Sequence, residues 1–169
     1  MNKRRWACYI GIPIVCLVVL VFVVLQVKHV NADRISVEKL IVERGQTLVA
    51  GNLIYSFGEV QNKVVKDELG QEIMEYWVPV QIKNESKTTV EVPLADFVAL
   101  YSNYKSGLYS GFLENGDSVM ELMTESGETK KGHFVFAVYM DKYIEQDNNF
   151  QLYFLRSKED VVSRYQLEL

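Results

Sequence analysis

The chain has 169 residues, 49% of them hydrophobic, and a formal charge of −4; that length holds one ordinary domain plus a tether and excludes two domains with separate cores. The average hides a split. Residues 1–32 contain no Asp or Glu and only Lys3, Arg4, Arg5 and Lys28 as charges, so the remaining 14 basic residues share residues 33–169 with all 22 acidic ones, a charge of −8 there. Such a segment repels phosphate backbones and anionic headgroups, which argues against nucleic-acid binding and for a cationic or apolar partner.

In chain order, residues 1–5 form a short basic tail, and Trp6 to Val27 is an uncharged apolar run. About 22 residues at ~1.5 Å each reach ~33 Å, enough for a hydrocarbon core of ~30 Å, so a transmembrane anchor is expected over residues 6–27. Pro13 falls early in it, where a missing N–H costs least. Lys3, Arg4 and Arg5 should stay cytoplasmic and leave the C-terminal part outside. Val30-Asn31-Ala32 before Asp33 resembles a cleavage site, so secretion after cleavage following Ala32 is the alternative. A signal peptide's apolar core is only ~7–15 residues, which favours retention. Cys8 and Cys16 lie within the run; Pro13-Ile14-Val15 before Cys16 lacks the small residues of a lipobox, and both read as apolar filler. Residues 33–169 have no cysteine, a composition that suits a Gram-positive cell surface better than a disulfide-bonded vertebrate secreted domain.

Residues 28–44 read as a juxtamembrane tether with a short helix or strand near Ile35–Glu43, and residues 45–169 as one extracytoplasmic β domain. Leu53, Tyr55 and Phe57 alternate with polar neighbours up to Gly58. Val60 to Lys66 and Ile73 to Lys83 flank the polar turn Asp67-Glu68-Leu69-Gly70-Gln71. Tyr76, Val78, Val80 and Ile82 oppose Trp77, Pro79, Gln81 and Lys83; Pro79 cannot donate to a ladder and belongs at an edge or a bulge. Val90–Val92, Phe97–Tyr101, Phe134–Met140, Phe150–Phe154 and Tyr165–Leu169 complete seven to nine short strands. That pattern predicts an all-β, antiparallel sandwich behind one N-terminal transmembrane helix.

The order of these signals resembles the uncharacterised immunoglobulin-like domains on exported, often membrane-anchored proteins of Gram-positive bacteria, relatives of the mycobacterial immunoprotective extracellular protein. The stretches that carry the resemblance are residues 76–87 (YWVPVQIKNESK), 97–101 (FVALY), 125–136 (ESGETKKGHFVF) and 150–154 (FQLYF). Pro79 and the long segment from Ser102 to Glu125 depart from the pattern. The resemblance implies an immunoglobulin-like fold and an envelope address; it implies no activity.

A search for chemistry yields little. His133 is the one histidine beyond juxtamembrane His29, and no Gly-x-Ser-x-Gly elbow accompanies it, so it reads as a residue on a strand's solvent face and no catalytic residue is assigned. One histidine and no cysteine give zinc too few ligands, and Asp141 to Asn149 lacks the spacing of a calcium loop, so neither a metal nor a cofactor is expected. Asn84-Glu85-Ser86 matches a glycosylation sequon and reads as a β-turn. The most suggestive segment is 102–123, where Tyr104, Tyr109 and Phe112 alternate with Gly and Ser. They read as a partner-binding loop, or as rings covering the sandwich end or a hairpin turning at Asn115-Gly116. The expectation is a non-catalytic envelope protein that binds a protein or surface partner near the membrane. A small-ligand or cation sensor is the alternative, and an enzyme with an unrecognised carboxylate site comes third.

Overall fold

A computed structural model of the chain describes residues 16–29, 36–102, 104–143, 149–158 and 161–169. The chain divides into two compact units, Met1–Ser36 and Val37–Leu169. In the first, helix α1 covers residues 16–29, with Leu17, Leu20 and Phe22 all more than 60% exposed. Among the described residues no helix is long and apolar enough to cross a membrane; α1 measures only ~21 Å at ~1.5 Å per residue. Residues 6–15 of the expected anchor lie outside the described residues.

The second unit is mostly β. Its strands are β1 (Ser36–Val42), β2 (Thr47–Ala50), β3 (Leu53–Phe57), β4 (Gln61–Lys66), β5 (Glu72–Asn84), β6 (Val90–Val92), β7 (Phe97–Tyr101), β8 (Tyr104–Ser106), β9 (Phe112–Glu114), β10 (Asp117–Val119), β11 (Leu122–Thr124), β12 (Thr129–Tyr139), β13 (Phe150–Lys158) and β14 (Val161–Leu167). A 3-10 turn, Leu94–Asp96, precedes β7. One sheet has five strands in the order β1-β14-β13-β7-β8. The other has seven, β10-β9-β12-β5-β3-β2 with β4 also on β5, and β11 and β6 form a separate pair.

Two expectations need correction. The sandwich begins at β1, not at residue 45: β1 flanks β14, and the Glu168 N–H donates to the Val42 carbonyl at 2.9 Å. The expected tether is therefore shorter. The strands also outnumber the expected seven to nine, because β6, β8, β9, β10 and β11 have three residues each, too few to show a period.

The long strands form where alternation predicts them. Along β5 the row Met74, Tyr76, Val78, Val80 and Ile82 is buried and faces the inner row of the five-stranded sheet. Aromatic rings fill the centre. Phe97 meets Phe134 at 4.6 Å, Phe154 at 4.7 Å and Tyr55 at 5.3 Å between centroids. Tyr76 stacks on Phe150 at 4.5 Å. The Phe97–Phe134, Phe97–Tyr55 and Tyr76–Phe150 pairs cross between the sheets, and rings at these distances add to the area they bury, which is the main term holding the sheets together.

Pro79 lies in the interior of β5, not at an edge. It is accommodated because its β3/β4 neighbour is interrupted there: Phe57 pairs with Val80 and Gln61 with Trp77. Three residues, Gly58 to Val60, thus oppose two, a β-bulge. The Gly58 N–H donates to the Pro79 carbonyl at 2.8 Å, so the face of Pro79 without an N–H meets the bulge, where no ladder bond is lost. The β4–β5 turn is built as its residues suggest. Asp67 Oδ1 accepts from the Leu69 and Gln71 N–H groups at 2.9 and 2.8 Å, and Gly70 takes φ +77.

Candidate functional site

The outward row of β5 is Ile73, Glu75, Trp77, Pro79, Gln81 and Lys83. Beside it on β12 run Lys131, His133, Val135, Ala137 and Tyr139, with Trp77 opposite Val135 and Pro79 opposite His133. A solvated sheet face would leave these exposed, yet Ile73, Glu75 and Val135 are 2%, 9% and 1% exposed. The chain itself provides part of the cover. After β8 it crosses to the larger sheet, where the Tyr109 N–H donates to the Val135 carbonyl at 2.7 Å. Tyr104, Leu108 and Tyr109 then line a shallow cavity of about 310 Å³ with Ile73, Ala137 and Tyr139.

Next to this covered part the face opens into a groove of about 550 Å³. Its floor is Trp77, Pro79 and His133, and its walls come from Phe57 and Gly58 at the bulge and from Leu113 beside the β9–β10 turn. That turn is fixed by Asn115 (φ +53) and Gly116 (φ +94), the pair of positive φ values a two-residue hairpin needs. Gly132 is required for a different reason: a Cβ there would lie 2.2 Å from the Leu113 carbonyl oxygen and 2.6 Å from Phe112 Cζ. Only glycine lets β9 approach β12 closely enough to raise that wall.

The groove's indole is held on its strand. Trp77 Nε1 donates to Glu75 Oε2 at 2.8 Å, Lys63 Nζ lies 3.4 Å from the same oxygen and 4.0 Å from the centre of the Trp77 ring. A carboxylate 9% exposed is tolerable because an N–H and an ammonium both satisfy it. His133 meets the Trp77 ring edge-on at 5.6 Å. The arrangement presents a positioned, mostly apolar and aromatic floor with lysines at its margin, which suits contact with an apolar side chain. Among the described residues no group of three or more His, Cys, Asp or Glu could hold a metal; the segment Asp141 to Asn149 lies partly outside them.

The structure does not bring Tyr104, Tyr109 and Phe112 together as one loop. Phe112 is fully buried in β9, with its ring 6.0 Å from Phe134, so it is core and unavailable to a partner. Tyr104 is in β8 and packs partly against the core. Of the three, Tyr109 is the one exposed, at 45%; its phenol is pushed upward by desolvation, then by Asp67, Tyr139, Glu75 and Glu68. Sequence reasoning missed Trp77, although a Trp followed by Pro79 and Gln81 on the outward row was a usable signal.

The sequon is structural. Asn84 is fully buried; its Nδ2 donates to the Thr88 and Thr124 carbonyls at 2.8 and 2.9 Å, and its Oδ1 accepts from the Ser86 N–H at 2.9 Å.

Comparison with known proteins supports the fold and stops there. No protein-family model matches the chain, and no curated protein matches it in sequence. Its structure is similar to that of MPT63, a secreted protein from Mycobacterium tuberculosis, with a TM-score of 0.53 and 12% identity over 78% of this chain and 98% of that one. It is also similar to a functionally unknown protein from Listeria monocytogenes, with a TM-score of 0.50 and 16% identity over 64% of this chain and 70% of that one. At such identities the likeness defines an antiparallel β-sandwich and nothing about activity.

Proposed function

We propose that this chain is a non-catalytic protein of the cell envelope, anchored by residues 6–27, whose β-sandwich binds a protein or surface partner close to the membrane. The observation that carries the reading is the open groove over Trp77, Pro79 and His133: an indole fixed by Glu75 and Lys63 on the outer face of the seven-stranded sheet. Aromatic surface left partly open in a groove is characteristic of interaction sites. The partner's contacting group is apolar, an exposed aliphatic or aromatic side chain, and Tyr109 extends the surface beyond the groove. The uncharged stretch 6–27 behind Lys3, Arg4 and Arg5, with no cysteine in residues 33–169, supports the envelope address and the outward orientation. An immunoglobulin-like kinship with exported Gram-positive domains is part of the same proposal; the secreted mycobacterial neighbour is consistent with it.

The test is crosslinking in intact cells followed by capture of the tagged, detergent-solubilised full chain. Wild type should enrich one partner, and Trp77→Ala should lose it while keeping its melting temperature within a few degrees. Repeated failure to enrich any partner, or equal enrichment by Trp77→Ala, would overturn the reading. Sequencing the mature N-terminus tests the anchor: a start at Asp33 would show cleavage.

A further inference from the structure

The groove over Trp77 has a charge pattern that differs from the rest of the domain. Residues 33–169 carry 22 acidic side chains against 14 basic ones, yet among the described residues no Asp or Glu lines the groove, and Lys131 does. The lysines nearby are already matched. Lys63 lies 3.4 Å from Glu75, Lys83 lies 2.9 Å from Glu85, and Lys130 lies 2.8 Å from Glu128. Lys131 is exposed and has neither an ion pair nor a hydrogen bond among the described residues. Its ammonium is a cation at an aromatic groove with no anion of its own.

The apolar and basic parts lie in line along the strands. On the outer face Pro79 is opposite His133, and Gln81 is opposite Lys131. The step from the aromatic floor to the lysine is therefore two residues along β5 and β12, a rise of ~7 Å. Leu113, paired with His133, and the Asn115-Gly116 turn after it wall this side of the groove. An extended peptide has the same repeat: its side chains at alternate positions point to one side, ~7 Å apart. Such a segment laid along the groove would set one side chain on the floor and the next on that side at Lys131.

We infer that the groove takes an extended segment of a protein partner in which an apolar side chain and a carboxylate stand two residues apart. This rests on the reading of the groove as a partner site and names the partner's chemistry. The apolar side chain lies on Trp77 and Pro79, and the carboxylate accepts from the Lys131 ammonium. The domain's average charge would favour a cationic segment instead. At physiological salt, however, charges beyond ~8 Å are largely screened, which leaves the unmatched lysine at the groove to decide. An acidic segment preferred by an acidic domain is a local effect that no average charge would produce.

The experiment is fluorescence anisotropy with the detergent-solubilised full chain at about 0.15 M salt. The probes are fluorescein-labelled Gly-Glu-Ser-Phe-Ser-Glu-Gly amide and its forms with both Glu replaced by Gln or by Lys. Acidic residues on both sides of Phe allow for either direction of the segment. The Glu peptide should bind wild type about three-fold more tightly than the Gln peptide, and the Lys peptide more weakly than either. Lys131→Glu should reverse that order, whereas Lys105→Glu, the same charge change on the other sheet, should keep it. Equal affinities of the three peptides, all lost in Trp77→Ala, would overturn the inference and leave the groove reading standing. No saturation by any peptide up to about 1 mM protein, or affinities unmoved by Trp77→Ala, would overturn both. Self-association of the full chain that Trp77→Ala abolishes would put a second copy in the groove and overturn the inference.

Discussion

Replacing Asn84 should be among the most damaging single changes in the sandwich. The side chain is fully buried at the end of β5, and all its polar capacity in use runs to backbone: two donors to the Thr88 and Thr124 carbonyls and one acceptor for the Ser86 N–H. Its own N–H donates to the Glu128 carbonyl, and its carbonyl accepts from the Gly127 N–H. One residue thus ties β5 to the 86–88 turn, to β11 and to the turn that enters β12. Asn84→Ala removes three hydrogen bonds at roughly 1 kcal/mol each and leaves a buried carbonyl, for a loss of about 3–5 kcal/mol. Against a total of about 5–15 kcal/mol, that lowers the melting temperature by on the order of 10–20 °C. Asn84→Asp keeps the acceptor for Ser86 but turns a carboxylate toward two carbonyl oxygens, so its pKa in the fold must lie above the unfolded value of about 3.9. A group raised in the fold contributes stability that is present below its unfolded pKa and lost as pH rises through the folded one. Urea unfolding should therefore show Asn84→Asp at least as unstable as Asn84→Ala at pH 7 and recovering relative to it toward pH 4. A loss under about 1 kcal/mol in Asn84→Ala, or no pH-dependent difference between the two variants, would refute the reasoning.

Phe112→Ala should cost about 3–5 kcal/mol in the same assay, because it empties a fully buried site, whereas Tyr109→Ala should cost under about 1 kcal/mol; comparable losses would contradict the separation of the two rings. Gly132→Ala should destabilise by about 2 kcal/mol or more, since neither Leu113 nor Phe112 can move aside without opening the β9–β12 pairing, and amide exchange should accelerate first in β9 and β10. Burial pushes the Asp96 carboxyl up despite the opposing effect of Arg156. Its sign is that of a raised group: wild type loses stability as pH rises through the folded value, and Asp96→Asn should melt higher than wild type at pH 7 with a weaker pH dependence below it.

What the sequence revealed and what it hid follow from strand length and from which face is covered. The β4–β5 hairpin was legible because both arms are long and the Asp67–Gln71 turn carries its own acceptor and a glycine. Asn115-Gly116 was legible as a hairpin turn for the same kind of reason. The segment from Ser102 to Glu125 was not, because β8 to β11 have no period and the place of β9 depends on its close approach to Gly132 in β12. From composition alone Tyr104, Tyr109 and Phe112 are three rings among Gly and Ser. Only the approach of β9 to β12 sends Phe112 into the core and leaves Tyr109 outside.

The covered outer face explains why the candidate site also escaped. Alternation along β5 separates Tyr76, Val78 and Val80 from Trp77, Pro79 and Gln81, and it assigns the second row to solvent. The structure divides that row instead: Ile73 and Glu75 are shielded in the fold, while Trp77 and Pro79 remain in an open groove. The division is made by a crossover and a bulge, two irregular features that the period of a strand does not encode. Pro79 links the two scales. The bulge that spares its missing N–H brings Gly58 to its ring, where a Cβ would come within 3.0 Å of Pro79 Cβ, and it shapes one wall of the groove. A proline that looked like an obstacle to a central strand thus accompanies the one break in the β3–β4 edge that makes room beside Trp77.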